Sequence, residues 1–340
     1  MSLSIHTKRR ILYVKTEGAT PGTFVSAVTL FAVGNAVVPP ENIKGPNFTV
    51  DFTERKVDGN SLQPLKAVAG AQTGKVSFST RLIGPPTKGV AGPLSDMFKS
   101  AGLSEVLVAT TSATFKEDPS SQTRLSIGVG MIQEDGLLEV EWALSGCAAS
   151  KLDIKGDGIG KPVMCDWEFT GKPAYATGTL IAIDDASPNV GITFVDDDAQ
   201  GFKFMKLSVT SGLTARQINN FVFSRGLPVD MDTDIADPSG HGWAKFGQTD
   251  PQVKLDPTKV PVATSNDVAN LIAGATASAG FTLTNAAGAT FAMAFPNLQP
   301  VALSDDARGN VSTWGITAHC RKSQTGAAVD ASDAFTFIFA

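Results

Sequence analysis

Apolar and polar side chains alternate with a period of two along most of this chain, and that period predicts strands. Asn47-Phe48-Thr49-Val50-Asp51-Phe52 puts Phe48, Val50 and Phe52 on one side, the pattern of a sheet with one buried face. Lys75 to Ile83 repeats the alternation until Gly84-Pro85-Pro86 stops it, and Leu137 to Leu144 and Asp166 to Thr170 follow. In the second half, Gly201 to Val209 and Phe281 to Thr284 are counterparts, and Phe335 to Phe339 is a last strand. Two stretches change to helical spacing. In Gly92 to Gly102, Pro93 suits a first turn, Leu94, Met97, Phe98 and Ala101 share a face, and Gly102 is a stop. In Ser265 to Gly274, Ser265 can cap while Val268, Leu271 and Ile272 repeat the spacing. Helices this short are marginal alone, so each is expected to pack on a sheet or on a neighbouring subunit.

The two helical stretches also mark a repeat. Gly274 follows Gly102 by 274 − 102 = 172 residues, and Trp314 follows Trp142 by 314 − 142 = 172. Trp142-Ala143-Leu144-Ser145-Gly146-Cys147 is echoed by Trp314-Gly315-Ile316-Thr317-Ala318-His319-Cys320. A fixed period usually marks stacked or ring-forming units that cannot bury their faces alone. The expected fold is mainly β, with two tandem β-sandwich or barrel modules, each carrying one short α-helix. An arm over 1–45 precedes a first module over 46–183 and a second over 190–340. Asp184 to Asn189 is read as a turn-rich polar link between them. Each half also carries a long polar excursion, about Thr53 to Gly74 and about Gly212 to Gly242. Loops of that length in a compact domain are usually functional, so both are expected to reach another subunit. In the first, the contact residues expected are Glu54, Arg55, Lys56, Asp58 and Asn60.

Composition narrows the function. Charged residues make up 18% of the chain, which fits either a glycine-rich β protein or a surface partly covered by neighbours. The net charge of −5, with no basic cluster beyond Lys8-Arg9-Arg10, argues against tight nucleic-acid binding, which needs cations to neutralise phosphates. Three cysteines without a C-x-x-C spacing, Cys147, Cys165 and Cys320, read as buried thiols of a chain made and kept in a cytoplasm. Lys15 cuts short the apolar run Ile11 to Val14, so no signal peptide is expected. Phe24 to Val38, interrupted by Ser26, Thr29, Gly34 and Asn35, falls short of a membrane span of about 20 residues.

Candidate chemistry is sparse. Asp230-Met231-Asp232-Thr233-Asp234 opens like a calcium loop, but Ile235 and His241 stand where glycine and a bidentate glutamate are needed. Asp196-Asp197-Asp198 reads as a solvated turn. Gly156 to Lys161 lacks the residues of a phosphate loop at Lys155 and Pro162, and of a dinucleotide fingerprint at Lys161. His319 and Cys320 are adjacent in a strand and so point to opposite faces; His6 and His241 lie on the arm and in a glycine turn. No catalytic residue, cofactor or metal site is expected, and the chain reads as a non-enzyme.

Taken in order, these segments resemble the major tail tube proteins of long-tailed bacteriophages. Leu12 to Gly22, with its Glu17-Gly18, is similar to the family's start, and Gly92 to Leu103 to its helix. Leu144 to Lys151 and Trp167 to Gly171 resemble its later strands, and Phe291 to Asn297 a strand ending in the second copy. The second copy departs from the first at His319, with Cys320 one residue late. The resemblance implies modules of the tail-tube type whose sheets join into rings, with rings stacked into a hollow tube that passes DNA without specific binding. It implies inter-ring contacts through the first excursion, and a trimer with pseudo-sixfold symmetry. Other tail proteins would sit at the tube ends, and the chain would reside in the virion tail after synthesis in the host cytoplasm. The alternatives are an initiator or terminator ring, or a carbohydrate-binding β-sandwich of a surface fibre.

Overall fold

In the computed structural model of the chain, the described residues are 10–30, 40–55, 65–118, 123–132, 137–158, 160–176, 179–180, 183–188, 201–203, 208–210, 216–262, 264–322 and 334–340. The fold is mainly β and its pairings are antiparallel. In the first half, β1 is Arg10–Thr16, β2 Glu41–Arg55, β3 Leu65–Arg81, β4 Leu103–Val108, β5 Ser112–Glu117, β6 Leu125–Ile132, β7 Leu137–Asp157 and β8 Met164–Pro173. The short β9 (Tyr175–Ala176) and β10 (Thr179–Leu180) pair with each other, and β11 is Ile183–Pro188. The second half holds β12 (Ser208–Thr210), β13 (Asn220–Ser224), β14 (Val229–Thr233), β15 (His241–Phe246) and β16 (Gln252–Leu255). It continues with β17 (Ala277–Thr284), β18 (Thr290–Arg308), β19 (Val311–Cys320) and β20 (Thr336–Phe339). The helices among the described residues are α1 (Ala27–Leu30), α2 (Ser95–Ser100) and α3 (Asp267–Ile272).

One sheet runs β2-β3-β8-β7-β13-β16-β19-β18-β20-β5-β4, with β6, β11, β12, β17 and β1 attached beside it. Among the described residues, two strand pairings in it join the halves. Asn220–Ser224 of β13 lies on Asp153–Asp157 of β7, and Thr336–Phe339 of β20 lies between β18 and β5. The core is also shared. The Phe98 ring packs on Phe115 and Trp167 of the first half and on Phe337 and Phe339 of the second, at centroid distances of 5.1, 5.4, 6.2 and 6.2 Å. Phe223 of β13 reaches the same ladder through Phe337.

Local chemistry explains several elements. The alternation in β3 buries Val76, Phe78 and Thr80, and β8 buries Cys165, Trp167 and Phe169 opposite. Gly102 takes φ +70° directly after α2, the left-handed stop that a Cβ disfavours. All three cysteines are buried free thiols; burial raises each, Cys320 to about 12.

Four expectations change. The polar segment at Asp184 to Asn189 is no bare link, since Ile183–Pro188 forms β11 on β7; an outer strand tolerates acidic side chains. Thr53–Arg55 and Leu65–Gly74 belong to β2 and β3, so both described ends of the first excursion are paired strand, with 56–64 outside the described residues. The second contains β13, β14 and the start of β15, with 212–215 outside the described residues. The helix caps also shift by one or two residues: α2 begins at Ser95, beyond Pro93, and Asn266, not Ser265, caps α3 by accepting Ala269 N–H at 3.0 Å.

Candidate functional site

Two exposed phenylalanines lie on a ribbon. β2 and β3 pair from Phe48↔Gly74 through Val50↔Gln72 and Phe52↔Ala69 to Arg55↔Leu65, with register shifts that add twist. Phe48 and Phe52, alternating on one face, are 44% and 65% exposed. The alternation in this strand therefore does not produce the buried face that it predicts: no described element covers those rings. At the root, the Phe48 ring sits over Gly74, where an added Cβ would come within 3.3 Å of it and 2.5 Å of Leu144. Past Gln72 the ribbon leaves the sheet, and a lone hairpin is marginal in water.

One prop comes from the second half. Gln72 N–H donates to Ser239 O at 2.8 Å, and Gly240 lies against Ala71, 3.2 Å from an added Cβ. The supporting turn, Asp234 to Gly240, is built by its own side chains. Asp234 Oδ1 accepts Ala236 N–H at 2.9 Å, and Asp237 Oδ1 accepts Ser239 N–H at 2.8 Å. Lys172 of β8 forms an ion pair with Asp237 and so ties the turn to the first half. Burial pushes the Asp237 carboxyl up, but hydrogen bonds from Lys172 and Ser239 outweigh it and hold the group below its ordinary value. The two excursions singled out in the sequence thus touch each other at the ribbon's flank.

The sheet's far end is open as well. β4 pairs only with β5 among the described residues, and Val106, Leu107 and Val108 are exposed in succession along it. Charge, proline and bulges commonly blunt such edges. β2 carries Pro46 and four register shifts. β4 carries only Glu105, which ties to Ser95 and Lys99 of α2. The tip of the β18–β19 hairpin is the other projection, polar at Asp305 and Asp306 and closed through Gly309 at φ +60°.

The start of the chain is clamped by a carboxylate. Glu17 Oε2 accepts Gly22 N–H at 2.6 Å, and Oε1 accepts Gly146 N–H at 2.7 Å and the Ser126 hydroxyl at 3.0 Å. Gly146 has φ +62° at a bulge in β7, which turns its N–H out of the ladder toward Glu17. Burial raises the Glu17 carboxyl, partly offset by those N–H groups. Nearby, Arg124 Nε donates to Ala244 O at 2.5 Å and its guanidinium lies 4.8 Å from the Phe246 ring centre; burial lowers it to about 10.

Of the five contact residues expected from sequence, Glu54 and Arg55 lie at the end of β2. Lys56, Asp58 and Asn60 lie outside the described residues, as do Asp196 to Asp198. Sequence reasoning missed Phe48 and Phe52 as surface residues; the available signal was their place before a long polar stretch that offers no opposing apolar face. His319 and Cys320 do diverge: His319 Nδ1 lies 2.6 Å from Asp250 Oδ1, while Cys320 is buried. Among the described residues no cluster of three His, Cys, Asp or Glu could hold a metal, and no helix is long and apolar enough to cross a membrane. No protein-family model matches the chain, and no curated protein matches it. Fold and surface define a class only: a mainly antiparallel β protein with open sheet ends and a projecting apolar ribbon.

Proposed function

We propose that this chain is a structural subunit that assembles with copies of itself into rings, and that the rings stack into the hollow tail tube of a long-tailed bacteriophage. The observation that carries the reading is the β2–β3 ribbon, with Phe48 and Phe52 turned to solvent. Fully burying a phenylalanine is worth about 1.5–3 kcal/mol, so two rings on a narrow ribbon favour a covered state. The edges at β2 and β4, which have no outer strand among the described residues, support ring closure, because sheet edges are satisfied by a neighbouring strand. The net charge of −5 supports a bore that DNA passes without sticking. In this reading the subunit is no enzyme; its partners are its own copies, in a trimer of pseudo-sixfold outline, and other tail proteins at the tube ends. Its place is the virion tail.

The test is negative-stain microscopy of the purified chain over a range of concentrations, beside Phe52→Asp. Hollow tubes or stacked annuli from the parent, reduced to single rings or monomers in the variant at unchanged Tm, are expected. A parent that stays monomeric throughout, or a variant that builds tubes of normal length, overturns the reading.

A further inference from the structure

The cavity between the halves holds an arginine with hydrogen-bonding capacity to spare. Arg225 follows β13, its own N–H is fixed on Leu152 O at 3.0 Å, and Gly226 at φ +57° then turns the chain away. The residue is only 2% exposed. Its Nη2 donates to Gly102 O at 3.0 Å and lies 3.5 Å from Glu117 Oε1, with the guanidinium 5.7 Å from the Phe335 ring centre. Nε and Nη1 are buried and have no hydrogen-bond partner among the described residues. Nε carries one N–H and Nη1 two, and a buried donor left unmade is costly.

We propose that the cavity lined by Arg225 binds a small carboxylate. The space is about 450 Å³, and Arg321 and Lys322 line it with Arg225, against Glu117 as the acidic side chain. Arg321 is itself paired with Asp250 at 3.5 Å, so among the described residues three cations face two carboxylates there, one positive charge in excess, which favours a negative guest. Thr249 donates its hydroxyl to Glu117 Oε1 at 2.6 Å, so that oxygen is engaged by Thr249 and Arg225 together. One excess positive charge is neutralised by a monoanion, whereas a dianion would leave the cavity net negative beside Glu117. Phe246 and Ala334 provide an apolar wall for the guest's carbon side. Burial lowers the Arg225 guanidinium to about 10, consistent with a cation that Glu117 compensates only in part. A guanidinium and a carboxylate match in charge and in planar geometry.

The experiment follows the Tm of the full chain at pH 7 in sodium acetate, sodium phosphate and sodium chloride at matched ionic strength. Acetate is expected to raise Tm along a saturating curve, as a ligand of the folded state does, while chloride and phosphate give flat traces. Lys322→Gln, at a surface position, raises the half-saturating acetate concentration by about two- to five-fold, the effect of an exposed charge. Glu117→Gln lets phosphate act like acetate. Coincident acetate and chloride traces in the parent overturn the proposal, and so does a half-saturation point that Lys322→Gln leaves unmoved. Neither result depends on whether the chain forms tubes.

Discussion

Helices α2 and α3 are both six residues long, share an apolar spacing and stop on a left-handed glycine, Gly102 at φ +70° and Gly274 at φ +61°. Their surroundings are opposite. Around α2, Leu94, Met97, Phe98 and Ala101 are all buried, with Phe98 at the centre of an aromatic cluster. On α3 nothing is buried; Val268 is 47% and Ile272 81% exposed, so of the two covers expected for this face, a sheet or a neighbouring subunit, the chain's own described sheet is not the one. What holds α3 is its start. Asn266 caps it, and Arg216, itself buried, grips Asp267 with two hydrogen bonds of 2.9 and 3.0 Å. Apolar spacing therefore defines a face without guaranteeing a cover, and a short helix can be secured by packing or by a charged clip at one end.

The sharpest way to break this comparison is to truncate one residue of each apolar face. Phe98→Ala is expected to cost about 3–5 kcal/mol, and Ile272→Ala to stay within about 0.5 kcal/mol in the unassembled chain, both read by denaturant titration. Equal losses would mean that α3 is covered in solution. The clip is next. Asp267→Asn leaves the Arg216 charge buried and should cost about 3 kcal/mol. Asp96→Asn on α2, which removes an exposed pair with Lys99, should cost about 0.3–0.5 kcal/mol. The smallest effect distinguishes charged ties from packed ones by pH. Asp237, held below its ordinary carboxyl value, stabilises above the unfolded value of 3.8 and loses that contribution as pH falls through its lower folded value. Hydrogen exchange at the Gln72 amide, corrected for its intrinsic rate, should therefore quicken on acidification before the Phe98 cluster loosens. Asp237→Asn should remove that pH dependence.

Much of the fold was legible wherever one face is buried. Val76 with Phe78, and Trp167 with Phe169, alternate because the core selects every second residue, and both helices were placed by their glycine stops. The ribbon was not legible as strand beyond Phe52, since Thr53-Glu54-Arg55-Lys56 carries no apolar alternation; Thr53, Glu54 and Arg55 read as loop for that reason. The 172-residue repeat recurs in the starts of β8 and β20, where Thr336 follows Met164 by 336 − 164 = 172. It does not recur in their partners. β8 pairs with β7, whereas β20 lies on β18 and β5. Pairing depends on contacts between distant segments, which local pattern does not carry. Arg225 had no signal at all, because its importance comes from Gly102, Glu117 and Phe335, each far away in sequence.

The insertion of β20 beside β5 also sets a clock. Glu117 ends β5 and Thr336 begins β20, 336 − 117 = 219 residues later. At a synthesis rate of about 5–20 residues per second, the β5 edge waits roughly 10–45 s on the ribosome for its neighbour. During that interval Phe115 and Phe98 lack the rings of Phe337 and Phe339, and an apolar strand edge is open to any other nascent copy. The expected consequence is a yield of native chain set by timing at the ribosome as well as by equilibrium stability.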